Sequence, residues 1–226
     1  MKNNIINSNI PNLNLIQKAP YVNTDSNLDA ALNDLKPVSI LKKMGFKKRS
    51  GDPVEAILYT LFLLPLLQAK SICFLFDKQL TTLLKGGKDV VYGFMQDQSI
   101  NWSLFTMKMA MKFYTLLKWN TTTDTQTAFI VDDTLDERYG KKVEATSLHW
   151  DHNKGVSIKA HQFLQLGLSY FGGFLPLIGH IFVGKKKCSK LSKEFNDKRS
   201  ATAKSYHDAY DLDKHDLLAK ILGKVI

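Results

Sequence analysis

The chain has 226 residues, 44% of them hydrophobic, and a formal net charge of +10. This is room for one ordinary domain and a smaller one, and the charge favours a polyanionic partner, nucleic acid ahead of an anionic membrane surface. Its two cysteines, Cys73 and Cys188, stand far apart without any CxxC, which excludes a thiolate zinc cluster built within one chain and fits a reducing, cytoplasmic setting.

Residues 1–27 are polar and Asn-rich, carry no apolar core of a signal peptide, and read as a flexible lead-in. From 28 to 120 the pattern is helical, and this region is expected to be the DNA-binding domain. Asp52-Pro53-Val54-Glu55 reads as a helix start: Asp52 as N-cap, Pro53 at the first helical position, Glu55 three residues after the cap. Val54 to Leu67 is almost continuously apolar, but it is shorter than the ~20 residues a bilayer requires. Pro65 interrupts it, so a buried helix is expected and no membrane partner. Lys85-Gly86-Gly87-Lys88-Asp89 reads as a turn, since it lacks the glycine spacing and the Lys-Ser/Thr pair of a phosphate loop. Asn101 to Trp119 is expected to be a helix whose apolar face runs through Trp102, Phe105, Met109, Phe113 and Leu116.

After the linker Thr121–Thr127 the period changes, and residues 128–226 read as a mixed region. Ala128 to Val131 is expected to be a short strand that ends in Asp132-Asp133-Thr134. Val156, Ile158 and Ala160 alternate with polar residues, and the run continues to Phe171. Gly172-Gly173 turns the chain, and Phe174 to Val183 returns. Pro176 is expected at an edge or a bulge. A basic connector follows. The last element is a helix starting at Asp213, with Asp216 three residues later, Leu217, Leu218, Ile221 and Leu222 as its apolar face and Gly223 as terminator.

A carboxylate at a strand's exit is a hard-oxygen ligand for a divalent cation. Asp133 is the first candidate and Asp132 the fallback, because alternation sends the two to opposite faces. Both also suit an ordinary turn. His149, His152 and His161 lack the spacing of a zinc site and read as surface histidines. Lys47, Lys48 and Arg49, Lys141 and Lys142, and Lys185, Lys186 and Lys187 form basic clusters suited to phosphate contacts.

These segments together resemble the DDE transposases of bacterial insertion sequences, in the IS4-like group. The resemblance is carried by Phe129-Ile130-Val131-Asp132-Asp133-Thr134, Tyr139-Gly140-Lys141-Lys142-Val143-Glu144, His152-Asn153-Lys154-Gly155, Gly172-Gly173-Phe174-Leu175-Pro176-Leu177 and, upstream, Ser99-Ile100-Asn101-Trp102. It implies an α+β fold, with an N-terminal helical domain followed by a truncated ribonuclease-H-like core of three strands and a helix. It also implies Asp133 as the first catalytic carboxylate, Mg2+ or Mn2+ as cofactor, and double-stranded transposon ends as partner. The second Asp and the Glu of the triad have no match in this chain. A fragment inactive alone is therefore expected, its missing half supplied by a partner chain or reached through a homodimer. A noncatalytic DNA-binding protein or transposition regulator is the alternative.

Overall fold

A computed structural model describes residues 27–78, 81, 83–119, 128–140, 143–170, 173–183 and 195–225. The expected lead-in through residue 26, the linker at 121–127 and the basic connector through 194 lie outside the described residues. The protein is α+β and divides into two compact units, Met1–Asp97 and Gln98–Ile226. The boundary thus falls before the helix at Trp102, not at residue 120, because that helix packs against the sheet.

The first unit is helical: α1 (Asn27–Leu35), α2 (Pro37–Lys43), α3 (Val54–Leu66), α4 (Ile72–Asp77) and α5 (Gly87–Met95). The apolar run anticipated from the sequence becomes α3, which buries Ala56, Ile57, Leu58, Tyr59, Thr60 and Leu63 and packs against α2, α4 and α5. Burial on nearly all sides explains why the run is continuous and not striped. Among the described residues no helix is long and apolar enough to cross a membrane. Two local readings need correction. Pro53, not Asp52, occupies the N-cap of α3, and no side chain caps it. The Lys85–Asp89 turn is real only at its start, since α5 already begins at Gly87.

The second unit holds α6 (Trp102–Trp119), β1 (Ala128–Glu137), β2 (Ser147–Asp151), β3 (Val156–Tyr170), β4 (Gly173–Phe182), α7 (Ala201–Asp211) and α8 (Lys214–Leu222). Among the described residues all pairing is antiparallel and runs through β3. One edge of β3 takes β1, from Ala128↔Ser169 to Glu137↔Ala160. The other edge takes β2 opposite residues 156–160 and then β4 opposite residues 162–170. The register shifts at Leu166/Gly167, where Ile178 and Pro176 face successive β3 residues and Leu177 is the extra one. Pro176 thus lies at a bulge on an edge strand, where its missing N–H costs no ladder bond. A Cβ on Gly167 would meet the Phe174 ring at 2.1 Å, so glycine there admits the ring across the strand.

β1 does not stop at Val131 but continues through both aspartates, because β3 offers partners along its whole length. β2 and α7 were not anticipated. Among the described residues the sheet has four strands instead of three, and a helix N-capped by Ser200, whose Oγ accepts the Ala203 amide at 3.1 Å, precedes α8. α8 matches its reading: Asp213 accepts the Asp216 amide at 2.8 Å, and Leu217 and Ile221 are buried.

The core joins Leu164, Leu166 and Leu168 of β3, Leu177 and Ile178 of β4, Ala110 of α6, and Leu217 and Ile221 of α8. α6 reaches this core through Ala110, with Met107 and Tyr114 packed beside it. The face that meets this core is therefore rotated from the one expected, of which Phe105 is buried and Phe113 is 42% exposed. Replacing Leu166, fully buried on the central strand, should cost about 2–5 kcal/mol for Leu166→Ala. Phe113→Ala should cost under about 1 kcal/mol. Urea unfolding curves of the two variants check the contrast, and similar losses would contradict the face assignment.

Candidate functional site

Asp133 lies opposite Leu164 in the β1–β3 ladder and so shares a sheet face with Val131, Leu135, Leu164 and Leu166. This is the face that carries the buried β3 leucines. Asp132, opposite Gln165, projects from the other face and is exposed, with its Oδ1 accepting the Asp133 amide at 2.8 Å. The two adjacent carboxylates therefore cannot act on one atom from one side. The candidate is Asp133.

Two side chains meet its Oδ2. The Gln162 amide donates at 2.6 Å from the neighbouring strand, and the Lys214 ammonium donates at 2.5 Å from the first turn of α8. The Lys214 bond holds the Asp133 carboxyl below the usual carboxylate range, partly opposed by burial and supported by Gln162. Lys214 stands 81 residues later in the chain, and the sequence reading missed it. The signal available was only a Lys just inside a well-capped helix start. Lys214 also lies 5.7 Å from the Phe182 ring centroid.

A divalent ion needs several hard-oxygen donors. Asp133 supplies one, and an ammonium already occupies the bonded position. Among the described residues no group of three or more His, Cys, Asp or Glu side chains could hold a metal. The residues present do not by themselves fit Mg2+ or Mn2+. The histidines do not converge either. His149 Nε2 contacts Ser147 Oγ at 2.7 Å within β2, while His161 takes Arg138 Nε at Nδ1 and bonds the Glu144 carbonyl through Nε2.

His180 is a buried imidazole beside a cavity of about 370 Å³ lined in part by Trp102, Thr202 and Tyr206. Its Nδ1 bonds the Ile181 carbonyl at 2.8 Å, and its Nε2 pairs with Ser205 Oγ of α7 at 3.0 Å. Burial pushes its pKa down.

Of the basic clusters, Lys47, Lys48 and Arg49 are exposed on the loop between α2 and α3 and line a cavity of about 770 Å³ in the first unit. Lys141, Lys142, Lys185, Lys186 and Lys187 lie outside the described residues. The same cavity contains Asp52 and Lys85. Asp52 is buried, and its carboxylate accepts the amides of Lys85 and Gly86, each at 2.9 Å. The Gly86 and Lys85 amides lower its pKa. What reads in sequence as a helix cap is a clasp across 33 residues. Comparison with known families, curated proteins and solved structures finds no match to this chain.

Two titrations test the geometry. Lys214→Met should raise the Asp133 pKa toward the ordinary value of about 3.9, followed by carboxyl carbon NMR. A lowered folded pKa gives stability that is present above the unfolded value and lost as pH falls. The stability gap between wild type and Lys214→Met should therefore be full at neutral pH and close below about pH 4. For His180 the folded pKa is likewise depressed. Stability should drop as pH falls below about 6.5, and His180→Gln should flatten that drop. Denaturant midpoints between neutral pH and pH 5 decide it.

Proposed function

We propose that this chain acts in DNA transposition, as the DNA-binding region and first half of the ribonuclease-H-like core of a DDE transposase of the IS4-like group. The single observation that carries the reading is Asp133, a carboxylate on the first strand of an antiparallel sheet in which β3 lies between β1 and β4, projecting from the face that holds the buried leucines. Two helices, α7 and α8, follow these strands in the chain, where the resemblance implies one. The +10 charge and the exposed Lys47–Arg49 loop support a polyanionic partner, taken to be double-stranded DNA.

Strand cleavage with Mg2+ or Mn2+ needs carboxylates from several elements. In this reading Asp133 contributes one, and a partner chain supplies the others. This chain alone then binds DNA without cutting it. A second reading, a noncatalytic regulator that occupies transposon ends, draws on the Asp133–Lys214 pair, which already neutralises the carboxylate.

The test uses supercoiled plasmid with Mg2+ or Mn2+. The 226-residue chain should bind and leave the plasmid intact. A version extended by the remaining half of such a core should nick it, and Asp133→Ala should abolish that nicking. Cleavage by the short chain would refute the division of labour. A lack of nicking by the extended chain, with binding kept, would favour the regulator.

A further inference from the structure

We propose that the cleft between the Lys47–Arg49 loop and Lys85 in the helical unit is a seat for backbone phosphates of double-stranded DNA. It rests on the DNA-binding part of the function proposed above and is independent of any cleavage chemistry. The cavity, about 770 Å³, has two walls: residues 46–53 on one side, and Lys85, Gly86, Val90, Gly93, Phe94 and Asp97 on the other. Lys47, Lys48, Arg49 and Lys85 are all exposed.

The walls are distant in sequence and are joined by Asp52. Its carboxylate takes the Lys85 and Gly86 amides, while Lys48 Nζ bonds the Asp52 carbonyl at 2.5 Å. Glycine at 86 permits this approach, since a Cβ there would meet Val90 Cγ2 at 2.3 Å and Asp52 Oδ2 at 3.2 Å. Two consequences follow. The charge of Asp52 is engaged by amides within the clasp, so it opposes the cations less than a free carboxylate would. Lys85, which the sequence marks only as part of a turn, is brought to the same cleft as the 47–49 cluster.

The size of the cleft and the number of its cations suit several phosphates spaced along a strand better than one small anion. The aromatic residues favour a duplex over a single strand. Phe46 meets Phe94 edge to face, with ring centroids 5.5 Å apart and planes at 82°, and Phe94 is buried. These rings are spent on each other and do not form a platform for stacking unpaired bases. Phosphate contacts of this kind give affinity that is steep in salt and indifferent to sequence.

The experiment is fluorescence anisotropy with a labelled duplex across a salt series, using the full chain. Lys85→Gln should weaken binding by roughly tenfold at low salt and reduce the slope of log K against log salt by about 1, and the triple change Lys47→Gln, Arg49→Gln, Lys85→Gln by about 2–3. Lys70→Gln, an exposed cation outside the cleft, is the control. Lys85→Gln matching that control would overturn the seat while leaving DNA binding intact. An intact chain with no duplex affinity would overturn both. Tighter binding of a single strand, or complete competition by millimolar inorganic phosphate, would overturn the assignment to duplex backbone.

Discussion

β3 is the strand on which the second unit depends. It is hydrogen-bonded along both edges, to β1 on one side and to β2 and β4 on the other. Leu164, Leu166 and Leu168 alternate onto one face and are buried there, so a single strand supplies both the ladder and the centre of the core. A one-residue slip of β3 against β1 would move those leucines to the opposite face and leave Asp133 opposite Phe163 or Gln165 instead of Leu164. The bulge at Leu177 is a local exception. It lets Leu177 and Ile178, adjacent in sequence, both be buried, which strict alternation forbids.

That register gives Asp133 its character. A carboxylate beside leucines needs compensation, and it finds an amide from Gln162 and an ammonium from Lys214. Both side chains are about two-fifths exposed, so the pair adds little to stability. Its main effect is to lower the carboxyl's pKa and hold it at a fixed place on the sheet. Among the described residues β1 pairs only with β3, and Phe129, Ile130 and Val131 are 40–49% exposed on it. The acids that follow, Asp132, Asp133, Asp136 and Glu137, put charge along that edge, a usual defence against edge-to-edge pairing.

Elements set by local chemistry were legible in the sequence. The α8 cap at Asp213, its buried Leu217 and Ile221, the long alternation of β3 and the placement of Pro176 all follow from residue type and period. What was illegible depends on distant partners. β1 reads as ending at Val131 because aspartate disfavours strands, yet pairing with Gln165 through Ala160 extends it. α7 lacks the apolar stripe that marks a helix, burying only Ala203 and Ala209. At the site, Asp133 could be singled out as a carboxylate, but Lys214 could not be singled out as its partner.

Asp52 and Asp133 show the same physics in two forms. Each has an apolar or half-buried setting, and each is held ionised by a donor from a remote segment: backbone amides for Asp52, a side-chain ammonium for Asp133. The difference decides what each can do. Amides cannot leave without unfolding the turn that presents them, so Asp52 is structural and orders the cations around it. A lysine side chain can swing away at the cost of a weak, screened pair. Asp133 is therefore the carboxylate that another cation could reach, and Lys214 sets the competition such a cation must win.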